Sequence, residues 1–366
     1  MADKRFVDIS GAPVPEEPDY WDPVIFTAGE IAAEAEVLAS RPRPADGRRL
    51  SLFVHPRSPA SSPSLAPGIR VGLAVLLPGE RTRPVRHNST VVEFCLGGAG
   101  HVVVGGDRID FGAHDAWNLP AYRTYWHENT TSEPQRRLVF SNAPVLEALN
   151  VHLIEDNPPE EPAVLPGNAE GAEAGSNPFG TFELNSTGAQ LMPYETLINP
   201  AAVESRALYW PWAEVKARLD QLEALGPDYR GRRLYLLYNP ATGRANGTTP
   251  SFFATLTMRP PGIVDRPHRH VSAAINYFFA GRGYSHVGGR RYEWGAGDLM
   301  LTAPGWAIHH HASYDSDRVY ELTVQDQPFH IHNESLLWQE DLTRPARLLG
   351  AEPGFATNRA GVAPGA

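Results

Sequence analysis

The chain has 366 residues, 42% hydrophobic and 20% charged, a globular balance with room for two or three domains. Its net charge of −10 argues against a nucleic-acid partner and against an anionic lipid surface. Its one cysteine, Cys95, excludes an internal disulfide framework and a thiolate metal cluster. The first residues lack the apolar core of a secretory leader, and no run approaches the roughly 18 apolar residues of a membrane span. The expected location is therefore the cytoplasm, with no membrane partner.

In chain order, residues 1–48 read as an N-terminal arm. Residues 49–154 carry short β-rich runs at 71–77, 91–96, 101–104 and 137–141, broken by Gly, Pro and Asp. Residues 155–180 are acidic and rich in Pro, Gly and Ala, the composition of a solvated linker. The segment 181–250 joins the halves and holds a predicted helix over 211–225. Pro211 suits its first position, Trp212, Val215, Leu219 and Leu222 form an apolar stripe, and Gly226 and Pro227 stop it. Residues 251–340 return to short strands, at 252–258, 274–279, 284–287, 298–302 and 319–324, and residues 341–366 form a tail. The pairs Gly105-Gly106 and Gly288-Gly289 mark hairpin turns, where positive φ is needed.

The two strand-rich stretches repeat each other. A shift of 183 residues places His87 on His270, Gly100 on Gly283, Gly106 on Gly289 and Asp115 on Asp298. From Pro120, which falls on Pro304, the shift is 184, and His127 falls on His311. Each copy therefore spans about a hundred residues, with one inserted in the second. Strands at this density imply an all-β protein with a few helices, with an antiparallel sandwich or barrel in each half.

The second copy reads PHRHVSAA, a glycine hairpin, then GDLMLTAPGWAIHHH. Residues two apart on a strand share a face, so His268 and His270 present both imidazoles together. A third from His309, His310 or His311 on a neighbouring strand completes a site for a divalent transition metal with open positions.

These motifs resemble the cupin motif pair, and two copies resemble the bicupin ring-cleaving dioxygenases of gentisate, salicylate and 1-hydroxy-2-naphthoate. LYNPATG at 237–243 and SNAPVLEAL at 141–149 add to the likeness, which covers roughly residues 65–340. The resemblance implies two antiparallel double-stranded β-helix (jelly-roll) barrels: an N-terminal one at 49–154 and a metal-holding one at 251–340. It implies an Fe(II)-dependent, extradiol-type dioxygenase acting on a small hydroxylated aromatic with O₂, and a homodimer or homotetramer. By position it makes His268, His270 and His309 the metal ligands and His311 a catalytic proton-transfer group facing the substrate. Three imidazoles also accept Mn, Ni, Co, Cu or Zn.

The common four-ligand cupin site adds a glutamate, whose slot here holds Asn276. In the dioxygenases that slot usually carries an arginine for the substrate carboxylate. Asn276, Trp306 and Arg269 are the substrate-binding candidates here. In the first copy Val85 takes the first ligand slot, His87 keeps the second, and Tyr125 or Trp126 takes the third. That barrel is expected to be metal-free. The alternative is a two-histidine, one-carboxylate site of His87, Glu93 and His127. Two rival functions remain: a non-oxidative metal-dependent lyase or isomerase, told apart by oxygen consumption, and a small-molecule-binding protein without turnover.

Overall fold

The structure is a computed structural model that describes residues 5–159, 180–194, 203–226 and 233–355. Most of the expected linker and the end of the tail lie outside the described residues.

Strands such as Val91–Gly97 (VVEFCLG) and Ala274–Ala280 (AINYFFA) are buried on both faces. Each runs through the middle of a six-stranded antiparallel sheet. Alternate residues on one face of each sheet, Val92 and Phe94 in the first and Ile275 and Tyr277 in the second, enter one shared apolar core. The two large sheets thus pack back to back. Their other faces look into two barrels, each closed by smaller sheets. The chain is all-β with a few helices, as expected.

The hairpins behave as the glycines require. Gly105 and Gly106 both have positive φ and join strands Gly100–Val104 and Asp107–Phe111; Gly288 and Gly289 do the same between Arg282–Val287 and Arg290–Gly295. The residue inserted in the second copy is taken up as a β-bulge. Ala274 pairs with Ala303 but Ile275 pairs with Leu301, so Thr302 is the extra residue. In the first barrel Val91 and Val92 pair with Leu119 and Asn118 without a break.

Four boundaries differ from expectation. Residues 24–40 are no arm: Val24–Phe26 adds a strand to the second barrel's large sheet, and the helix Ala28–Ser40 follows it. Tyr209–Trp210 likewise adds to the first barrel's sheet, followed by the helix Trp212–Glu223, for which Pro211 is the N-cap rather than the first turn. The helix starts match: Ala28 N–H donates to Asp298 at 2.7 Å, and Trp212 N–H donates to Asp115 at 2.7 Å. The repeat therefore includes a reciprocal strand exchange between barrels. Arg233–Leu236 is already an edge strand of the second barrel, before the expected start at 251. Ile154–Asp156, placed partly in the linker, pairs with Val85–His87.

Candidate metal centre

His268 and His270 lie on the segment that leads into the second barrel, and His309 opens the strand His309–Ser313. A β-bridge holds the two together: the His268 N–H donates to the His309 carbonyl at 3.1 Å, and the reverse bond is 2.9 Å. All three side chains are buried, and their ligand atoms lie within 4.8 Å of one another. Metal–imidazole bonds of about 2.1 Å can reach a common ion with small ring rotations.

The tautomers are set by the backbone. Each Nδ1 lies 2.9 Å from a carbonyl oxygen: that of Arg266 for His268, Ser272 for His270 and Ala307 for His309. A carbonyl only accepts, so each Nδ1 carries the proton and each Nε2 keeps its lone pair for a metal. Ser272 adds to this, with its Oγ 3.0 Å from His270 Nδ1 and donating to Gln325. Trp338 lies over the rings, 4.5 Å from His270 and 5.6 Å from His268 between centroids. The donor set fits a divalent transition ion.

His311 shares the face of His309, with ring centroids 5.9 Å apart. Its Nδ1 is 2.8 Å from Ser285 Oγ, which already accepts the indole N–H of Trp294 at 2.9 Å. The arrangement that satisfies all three groups has the Ser285 hydroxyl donating to His311. That leaves the His311 proton on Nε2. His310 points to the other face and stacks on His286 at 4.9 Å. His311→Ala is expected to keep the metal and slow turnover by roughly 10²–10⁴-fold, as removal of a positioned proton-transfer group does; metal analysis with steady-state kinetics checks this.

Asn276 is buried in the barrel, donating to Thr323 at 2.8 Å and accepting from Thr302 at 2.6 Å. The other two substrate-binding candidates are not brought to the triad. Arg269 alternates away from His268 and His270; it donates to Gln339 at 2.6 Å, pairs with Glu17, and stacks over Trp306 at 4.4 Å.

Residues 253–339 match the AraC-like ligand binding domain. The chain is 26% identical to a 5-aminosalicylate 1,2-dioxygenase of a Comamonas species over 68% of its own length. That match spans 63% of the relative, under two thirds of its length. It is 25% identical to a gentisate 1,2-dioxygenase of a Haloferax species, covering 81% of this chain and 80% of that one. The salicylate 1,2-dioxygenase of Pseudaminobacter salicylatoxidans superposes with a TM-score of 0.73 at 17% identity, over 92% of this chain and 94% of that one. The chain has the bicupin fold.

In this bicupin the N-terminal barrel keeps the frame of a metal site without its ligands. Val85 pairs with Tyr125 as His268 pairs with His309. This assigns the third slot to Tyr125, not Trp126. His87 Nδ1 lies 3.0 Å from the Ser89 carbonyl, as His270 does from Ser272, but its Nε2 is 2.9 Å from the Tyr125 hydroxyl. The alternative site of His87, Glu93 and His127 is not assembled. Glu93 accepts from Arg137 Nη1 with both oxygens at 3.0 Å and is 2.7 Å from His127 Nε2. The guanidinium takes the place a cation would need. Among the described residues, His268, His270 and His309 are the group of three ligating side chains that converges.

Burial pushes the His87 and His127 imidazoles down to about 4, with Arg137 adding to the effect on His127. Burial alone would raise Glu93, but Arg137 and His127 hold it at about 2. With Arg137 already neutralising Glu93, His127 is neutral. Restoring both lost ligands, by Val85→His with Tyr125→His, is expected to add about one metal equivalent per chain. His87→Ala alone is expected to leave metal content unchanged. Elemental analysis of both variants checks the pair.

The Ser two residues after the second histidine slot recurs in both copies, and that repeat was the sequence signal for the carbonyl-locked histidines. Ser285, Trp294 and Trp338 carry no such signal, because they reach the site from strands distant in sequence.

Proposed function

We propose that this bicupin is an O₂-dependent enzyme that opens the ring of a hydroxylated aromatic, using Fe(II) held by His268, His270 and His309. The observation that carries the reading is the buried triad with every Nδ1 tied to a carbonyl, in a chain whose relatives are 1,2-dioxygenases. Three neutral ligands leave the full charge of a divalent ion and open coordination positions. When bound, that ion supplies a cationic anchor on which substrate and O₂ are brought together. The protein's own work is orientation and proton handling. The bridge from His268 to His309 and the three carbonyls fix the donor directions. Trp338 covers two of the rings. His311, held by Ser285 and Trp294, keeps an N–H on the side away from Ser285, suited to donating a hydrogen bond to an oxygen of the reacting substrate and, once protonated, to transferring a proton to it.

The test is oxygen uptake by anaerobically Fe(II)-loaded protein against salicylates, gentisate, hydroxynaphthoates, catechols and aminophenols, with ultraviolet spectra in parallel. Uptake with loss of the aromatic band supports the reading. Metal-loaded protein that consumes no O₂ with any of them would favour a non-oxidative, Lewis-acid use of the same site.

A further inference from the structure

The wall of the second barrel opposite the histidine strands has an unusual charge composition. Its outward residues, Leu256, Ile275, Leu301, Leu322 and Val324, belong to the core shared with the first barrel. The residues alternating with them therefore face the barrel interior. These include Thr255, Thr257, Asn276, Thr302, Thr323 and Gln325, all buried and all uncharged. Among the described residues the one cation at the interior-facing positions of this wall is Arg259, which is fully buried. Its Nη1 donates to Glu321 at 3.1 Å, and its Nη2 to Glu321 at 3.2 Å and to Asp265 at 3.0 Å. The Arg259 Nε–H has no protein acceptor, but the two carboxylates clamping the guanidinium leave that cluster net negative.

The arginines beside the histidine motif do not change this balance. Arg266 is exposed, Arg269 is held on the far face by Glu17, Gln339 and Trp306, and Arg282 is exposed beside Asp317. A carboxylate can give one oxygen to the metal, but its other oxygen, taken out of water, needs a second cation or several charge-assisted donors. A hydroxyl or amino group needs one donor or acceptor, which threonine and asparagine provide.

We propose that the second barrel selects an aromatic ring bearing two adjacent uncharged donor groups, of the catechol or 2-aminophenol class, over an ortho-hydroxybenzoate. The proposal rests on the ring-cleavage reading of the same site and narrows its substrate class. Asn276, at an interior-facing position, is the residue we assign to read such a group, since its amide nitrogen has a second N–H beyond the one given to Thr323.

The experiment is anaerobic titration of Co(II)-loaded protein, whose visible bands report ligation without turnover, with 2-aminophenol, catechol, salicylate, gentisate and 5-aminosalicylate. The expected result is binding of 2-aminophenol or catechol at least about tenfold tighter than any of the three carboxylates, a difference of about 1.4 kcal/mol. Equal or tighter binding of a carboxylate would overturn the selectivity while leaving ring cleavage standing. Bands that no aromatic perturbs would overturn both.

Discussion

His270→Ala is expected to abolish metal binding and turnover together. His270 is almost fully inaccessible, lies with its ring 4.7 Å from that of His309, and is tied through Nδ1 to Ser272 and through Ser272 to Gln325. Its loss leaves two imidazoles, too few to hold a divalent ion against buffer. The Ser272 hydroxyl meanwhile keeps its bond to Gln325, so the barrel wall is not undone. Anaerobic reconstitution followed by elemental analysis should find about one metal per wild-type chain and almost none in the variant. Full metal retention would place the site elsewhere. Ser272→Ala, which removes only the outer support, should weaken metal affinity by roughly 10–100-fold and keep the stoichiometry at saturation.

Acid is expected to destabilise the first barrel well before carboxylates protonate. His87 and His127 are buried and neutral, with folded values of about 4 against an ordinary 6.5. Between those values the unfolded chain takes up protons that the folded chain refuses. Their contribution is therefore complete above pH 6.5 and is lost as pH falls toward 4. The loss by pH 4 is about 3 kcal/mol for each histidine. Glu93 extends the trend. Its folded value of about 2 lies below its ordinary 4.5, so its contribution is present above 4.5 and lost as pH falls toward 2. Urea unfolding of metal-free protein at a series of pH values from 7.5 to 4 reads the slope. His87→Gln should flatten that slope by roughly half of the histidine share, whatever its baseline stability. A slope unchanged in the variant would mean that His87 is accessible or protonated in the folded protein.

Much of the metal centre was legible in the chain because it is local. His268 and His270 are two apart on extended backbone, so their shared face follows from strand geometry alone. The hairpin glycines and the register of the two copies were equally readable, the first from adjacent residues and the second from a constant shift between like residues. The inserted residue was visible as a change of shift from 183 to 184, although its form was not. Whether an extra residue becomes a loop or a bulge depends on the neighbouring strand, and here Ile275 stays paired with Leu301 while Thr302 bulges. Arg269 shows the same limit in reverse. Its sequence position beside the ligands suggested a substrate contact, yet alternation along the strand sends it to Glu17 and Trp306.

By itself, then, the order of residues determined two β-rich repeats, a histidine pair on one face, a third histidine beyond a glycine hairpin, and the loss of ligands in the first copy. These are properties of neighbours along the chain and of a period of two. Only the tertiary structure decided that Val24–Phe26 and Tyr209–Trp210 cross to the opposite barrels. It also decided that Arg137 neutralises Glu93 against His127 and that Arg259 is spent on Glu321 and Asp265. Those outcomes depend on which strands and loops meet in space, not on spacing along the chain. An isolated carboxylate or guanidinium gives no hint of its partner, because pairing of buried charge is settled by packing rather than by spacing.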